Sequence, residues 1–217
     1  MNIYQRGTKM NWNLENIRFL HPPDDFMGSF TNKKMQARHI ALQEEKIDEI
    51  NSALEKEENP IKAMYVLNRL EYIQFVTNNL EIFKSHNCLE KAVLGLYYHK
   101  NTPFAPAGNY DTWKFFFENC DKDLLFQQGS ELPHEKIVAY RGSVTGIIKG
   151  FSWTIDKDKV AWFLNRWADK SLGGGTIYSQ EVNREDVLVF IKDEEKQEVI
   201  LKPSLAEGTK AIEVTSL

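Results

Sequence analysis

Apolar residues Ile40, Ile47, Ile50 and Leu54 recur at spacings of seven, three and four. That rhythm places them on one face of a helix and predicts helix over 36–58. Asn59-Pro60 marks a boundary, because Asn caps helices well and the fixed φ of Pro suits a first helical position. A second stripe, Met64, Leu67, Leu70, Ile73, Val76, Leu80 and Phe83, predicts a helix running on to about Lys84. Shorter helices are expected over 89–98 and 111–118. The latter carries Trp113, Phe115, Phe116 and Phe117 at helical spacing, which reads as core, with a partner-binding surface as the alternative. Residues 1–35 read as irregular, with Pro22-Pro23-Asp24-Asp25 as a turn. The segment 101–108, with two prolines and a glycine, reads as a loop.

The pattern changes near Pro133. Short apolar runs then predict strands over 137–140, 150–154, 176–182, 187–191, 198–201 and 211–214. One helix interrupts them over 157–169, with Val160, Ala161, Phe163, Leu164 and Trp167 as its apolar residues. Helices first and strands second give an α+β chain. The expected division is a mainly α-helical region over 1–132 and a β-rich region over 133–217. No internal repeat or low-complexity stretch is visible.

Composition narrows the function classes. Hydrophobic residues make up 42% of the 217, enough for a real core rather than wholesale disorder. The formal net charge is −4; residues before Lys136 hold 15 Lys/Arg against 19 Asp/Glu, and the rest 12 against 12. Neither part is a basic nucleic-acid module by composition, so a nucleic-acid partner would need a local patch assembled by folding. Two distant cysteines, Cys88 and Cys120, read as core thiols of a reduced cytosolic protein rather than a disulfide framework. No apolar run has the length of a membrane span, and the first residues lack the run of a signal peptide. A cytoplasmic protein is therefore expected, with no membrane partner; one delivered into a host cell's cytoplasm would look the same. The five histidines show no metal-ligand spacing, and no metal is expected. Gly173-Gly174-Gly175-Thr176 lacks the ending of a phosphate loop and precedes a strand, so it reads as a turn.

Three pieces stand out for their chemistry and order. Tyr140-Arg141-Gly142 falls at a strand end. Ser152-Trp153-Thr154 lies on the next strand, with Ala161-Trp162-Phe163 on the helix after it. Glu198-Val199-Ile200-Leu201 is a strand opened by a carboxylate, after the charged stretch 193–197. Each piece is weak alone, but their order, spacing and strand context together are more specific. Over 136–217 the chain resembles the arginine–serine–glutamate class of ADP-ribosyltransferases, which includes many bacterial and phage toxins. In that family an Arg lies on the first strand, a Ser-x-Ser or Ser-x-Thr on the next, and a Glu-x-Glu or Gln-x-Glu opens a later one.

The resemblance implies a split β-sheet domain that takes NAD as substrate. Glu198 would stabilise the positive charge that develops on the ribose as the nicotinamide bond breaks, and would hydrogen-bond the ribose 2′-hydroxyl. Arg141 would hold the phosphate or ribose side of NAD through its multi-donor guanidinium. Ser152 would support Glu198, Thr154 would stiffen the strand or add a hydrogen bond, and Gly142 would let the backbone approach the nicotinamide amide. Phe163, Trp162 and Tyr178 are the candidates for stacking on the nicotinamide ring. Gln197 and Lys196 would belong to the acceptor loop.

One departure bears on the acceptor. The position two before Glu198 is Lys196, where the family carries Glu or Gln, and Glu there accompanies modification of arginine. Lys196 speaks against an arginine target and leaves two acceptors: a nucleic acid, whose phosphates a cation would help to hold, or a non-arginine site on a protein. The expected activity is thus mono-ADP-ribosyl transfer to a macromolecule, in a toxin that a neutralising antitoxin protein would accompany. Two alternatives stay open: an NAD glycohydrolase or phosphorylase that depletes NAD, and a non-catalytic binding module that keeps the fold.

Overall fold

The side chain of Asn32 accepts hydrogen bonds from the main-chain N–H groups of Lys34 and Met35 and starts helix α1 (Lys33–Lys56). This helix belongs to a computed structural model that describes residues 10–19, 32–98, 109–167, 175–192 and 197–216. The predicted turn at 22–25, the loop at 101–108, Gly173-Gly174 and Lys196 lie outside the described residues. By its contacts the chain forms two compact units, Met1–Gly108 and Asn109–Leu217, each built around its own packing.

The first unit is helical. Of the expected stripe on α1, Ile50 and Leu54 are buried, Ile47 is half-buried and Ile40 remains 46% exposed, so only the C-terminal half of the helix packs. Asn59 caps α2 (Pro60–Val66), with Pro60 in the first turn. The single long helix expected over 60–84 is divided. A 3-10 turn (Arg69–Glu71), α3 (Tyr72–Asn78) and α4 (Leu80–Ser85) follow α2 as separate pieces. Asparagine side chains account for the breaks, because they compete with the helical ladder for main-chain partners. Asn68 accepts from the N–H of Leu70. Asn79 is buried and donates to Phe75 O. Helix α5 (Leu89–Tyr98) completes the unit. The segment 10–19 is fastened to these helices: Trp12 Nε1 donates to Leu54 O at 3.0 Å, and Trp12 packs on Phe75.

The second unit carries the β-sheet. Asn109 caps α6 (Tyr110–Asn119) and Asp121 caps α7 (Lys122–Gln127), a short helix the sequence pattern did not announce. Trp113, Phe116 and Phe117 are buried, in line with the core reading, while Phe115 faces out. Six strands follow: β1 (Lys136–Ser143), β2 (Ser152–Thr154), β3 (Thr176–Asn183), β4 (Val187–Lys192), β5 (Gln197–Leu201) and β6 (Ile212–Ser216). They form one antiparallel sheet in the order β4-β5-β2-β1-β3-β6. Helix α8 (Lys157–Trp167) follows β2, and a single turn, α9 (Pro203–Ala206), follows β5. Because α7 packs on β4 and α6 lies beside α9, both helices go with the sheet. By contacts, α6 and α7 thus belong to the same unit as the sheet.

Strand alternation sorts the sheet's side chains. Ile137 and Ala139 of β1, Trp153 of β2, Val182 of β3 and Val199 and Leu201 of β5 share one buried cluster with Leu205 of α9. On the opposite face α8 lays Val160 and Leu164, four residues apart, against Ile177 and Tyr140. Ser152, Thr154, Glu198 and Ile200 share that second face by register. β1 pairs with β3 along its whole length, from Lys136↔Asn183 to Ser143↔Thr176. Its pairing with β2 is confined to Tyr140↔Thr154. Beyond Tyr140, β1 has no registered pair with β2.

Candidate functional site

The three chemistry-bearing motifs fall on three neighbouring strands, β1, β2 and β5, although 46 residues separate Ser152 from Glu198 in the chain. Thr154 lies directly opposite Glu198, and Ser152 opposite Ile200. Ser152 and Glu198 are therefore diagonal neighbours on one face, within reach of each other. The Ser152 hydroxyl donates a hydrogen bond to Glu198 Oε1. No other described residue bonds that carboxylate, so Oε2 remains available to an incoming hydroxyl.

Arg141 follows Tyr140, the last residue of β1 paired with β2. Its side chain is half-buried, and Nη1 donates to the main-chain carbonyl of Ser152 at 2.5 Å. Nη2 reaches the carbonyl of Lys149 at 3.5 Å. Ser152 is thus the meeting point of the site: its carbonyl takes the guanidinium and its hydroxyl takes the carboxylate.

Thr154 binds main chain rather than Glu198. Its Oγ1 donates to Gln197 O at 2.8 Å and accepts from Asp156 N at 3.1 Å. Ile155 N donates to the same Gln197 carbonyl at 3.1 Å. These bonds pin the residue before Glu198 and so fix where β5 begins. Asp156 in turn accepts from Lys159 N at 3.0 Å and caps α8. Gln197 is half-buried at the strand mouth, whereas its expected partner in the acceptor loop, Lys196, is outside the described residues.

Gly142 faces α8. A Cβ there would stand 2.9 Å from Leu164 Cγ and 3.0 Å from Val160 Cγ1, so close helix–strand packing accounts for the glycine. Of the three candidate aromatics, Tyr178 is the one beside Arg141, directly across the β1–β3 pair, and it is half-buried against the core. Phe163 and Trp162 sit on the outer side of α8, 48% and 54% exposed. Of the apolar residues named on this helix, Val160 and Leu164 fill the inward positions and Phe163 does not. Trp162 lies under the cations of Lys159 and Arg166.

Several residues near the site carry no sequence signal. Lys149, just before β2, pairs with Glu207 at 3.1 Å and lies 4.0 Å from the centre of the Tyr110 ring. Tyr110 OH donates to Glu207 Oε1 at 3.0 Å, and its ring stacks on Phe151. Burial, and then the bond to Glu207, push the Tyr110 phenol above its ordinary range; the bonds from Lys149 and Tyr110 hold the Glu207 carboxyl below its own. Gly150, two residues ahead of Ser152, lies against Arg141.

Among the described residues no cluster of His, Cys, Asp or Glu could hold a metal ion, and no helix is long and apolar enough to cross a membrane. Comparison with protein-family models, with curated proteins and with solved structures finds no match for this chain.

Proposed function

We propose that residues 109–217 carry an NAD-consuming mono-ADP-ribosyltransferase, the activity implied by the resemblance of the Arg141, Ser152 and Glu198 motifs. The observation that supports this reading most is the convergence on Ser152: one residue joins the guanidinium of β1 to the carboxylate of β5. The set fits NAD as a substrate. Arg141 offers a planar fork suited to its phosphates. Glu198 offers a carboxylate oriented by Ser152, with one oxygen left to meet the ribose.

In the reaction the bond between the ribose C1′ and the nicotinamide nitrogen breaks. Its electron pair stays with the ring nitrogen, and neutral nicotinamide leaves. The positive charge left on C1′ and its ring oxygen is stabilised by Glu198, more in the transition state than in bound NAD. A nucleophile on the acceptor then bonds to C1′ and gives up its proton. Such a fixed charge is worth about 10²–10³ in rate by analogy with oxyanion-type donors. Lys196 in place of an acidic residue favours a phosphate-bearing acceptor, a nucleic acid, over an arginine side chain. A toxin held in check by an antitoxin protein is the setting the reading suggests.

The test is nicotinamide release from NAD by the purified protein and by Glu198→Gln, which keeps the shape and removes the charge. Labelled NAD is offered with RNA, DNA and cell lysate. Release that collapses in the variant, with label on one acceptor class, is the expected result. Release with water as sole acceptor would turn the reading to a glycohydrolase. Absence of release with every acceptor, from folded protein, would overturn it.

A further inference from the structure

Residues 149–152 wrap the guanidinium of Arg141. The carbonyls of Ser152 and Lys149 accept from its two terminal nitrogens, at 2.5 Å and 3.5 Å. Between them lies Gly150. A Cβ at that position would stand 2.4 Å from Arg141 Nη2, 2.6 Å from Cζ and 2.8 Å from Nη1. Gly146 and Gly208 are the described glycines with positive φ, and Gly150 is not one of them. Its backbone does not need the left-handed region that favours glycine, so the glycine supplies room, not conformational freedom.

The wrap is anchored from outside. Gly150 N donates to Ala206 O at 2.7 Å, and Gly150 O accepts from Trp153 Nε1 at 2.9 Å. Phe151 O accepts from Leu201 N at 3.0 Å. Lys149 is held at its side chain by Glu207 and Tyr110. A segment tied to α9, β5 and α6 yields less readily than the end of an arginine side chain.

We infer that Gly150 is a positioning residue: it leaves the one space in which the Arg141 guanidinium can lie across the carbonyls of residues 149 and 152, and so sets the pose in which Arg141 meets a phosphate. The part concerning phosphate rests on the NAD reading above; the part concerning the pose does not. The three atoms nearest an alanine methyl at 150 all belong to the end of the Arg141 side chain, so the guanidinium must move while the fold stays.

The experiment compares wild type, Gly150→Ala, Arg141→Ala and the double variant. Thermal midpoint, the Nε–Hε resonance of Arg141 (assigned by its loss in Arg141→Ala), and KM and kcat for NAD are measured. The expected result for Gly150→Ala is an unchanged midpoint, a displaced resonance, and a KM for NAD raised about ten- to a hundredfold with kcat within about twofold, as for loss of a charge-assisted contact to bound substrate. In the Arg141→Ala background the Gly150→Ala change should add nothing, since the two act through one group. An unmoved resonance overturns the inference, as does a KM that stays put in an active enzyme whose resonance has shifted. A shifted resonance in a protein that neither binds nor cleaves NAD leaves the pose assignment standing and removes the NAD reading. If Gly150→Ala alone fails to fold, folding of the double variant shows the collision with Arg141 to be the cause; failure of both overturns the inference.

Discussion

Ser152 donates its hydroxyl hydrogen to the carboxylate of Glu198 along the diagonal of the β2–β5 pair, while its own direct cross-strand partner is Ile200. The bond holds the carboxylate on the face that the register assigns to Tyr140, Thr154 and Ile200. Without the hydroxyl the carboxylate keeps its charge but gains rotamer freedom. Ser152→Ala should therefore lower kcat for nicotinamide release by about tenfold, less than the loss in Glu198→Gln, because the charge survives. The main-chain carbonyl that binds Arg141 is untouched by this substitution, so KM should change little. A loss of kcat equal to that of Glu198→Gln would mean that Ser152 acts on substrate directly and not through Glu198.

Gly142 separates a packing role from a substrate role. A methyl at 142 presses on Leu164 and Val160, two buried residues that anchor α8. Overpacking of this kind costs about 1–3 kcal/mol. Gly142→Ala should lower the unfolding free energy by that amount in a urea titration. Leu164→Ala placed on top of it should cost less than Leu164→Ala costs alone, since it opens the space the new methyl needs. Strict additivity of the two losses would show that the methyl is accommodated elsewhere.

Much of the sheet could be read in advance because its strands are short apolar runs. Val187 to Phe190 are four consecutive buried residues, and Val199 to Leu201 are three. Arg141, Ser152 and Glu198 were legible as types in an order, and the strand order that makes them neighbours followed from folding. What stayed hidden was non-local or weak. The anchoring of Lys149 by Glu207 and Tyr110 joins residues far apart in sequence, with no pattern linking them. Helix α9 is four residues long, too short for periodicity. The helix expected over 60–84 failed at Asn68, which caps the N–H of Leu70 two residues on, and at Asn79, whose amide binds Asn13 far away in the chain, a partner the apolar stripe does not reveal.

Asn79 shows how much one such amide carries. It is buried, its Oδ1 accepts from Asn13 N at 2.8 Å, and its Nδ2 donates to Asn13 O at 3.0 Å and to Phe75 O at 2.9 Å. It thereby closes the end of α3 and fastens the segment 10–19 to the helices. Asn79→Ala leaves main-chain groups unsatisfied, at a cost of about 1–3 kcal/mol for each that cannot reach water. The expected outcome is a loss of roughly 2–3 kcal/mol in chemical denaturation, with amide exchange accelerated first at Trp12 and Asn13. Uniform acceleration across all the helices of the first unit would mean that Asn79 supports the whole unit and not the fastening.

Cys88 should be a slow thiol. Burial raises its pKa to about 11, the neighbouring Glu90 adds to the shift, and Lys91 opposes it. The sulfur also lies 3.5 Å from the carbonyl of Phe83, as a weak donor in its protonated form. Since the thiolate is the reacting species, a protein carrying Cys120→Ser should react with a disulfide reagent at pH 8 about a hundredfold more slowly than an ordinary exposed cysteine. The rate should climb about tenfold per pH unit and level off only near pH 11. Stability follows the same sign. The folded pKa lies above the unfolded one, so the unfolded chain releases this proton first as pH rises. The contribution of Cys88 to stability is therefore complete below the ordinary thiol range of about 8.5, and it is lost progressively up to about pH 11. Cys88→Ala should flatten that alkaline slope. A reaction rate that plateaus near pH 9 would place the sulfur in a solvent-like environment and rule out burial as the cause.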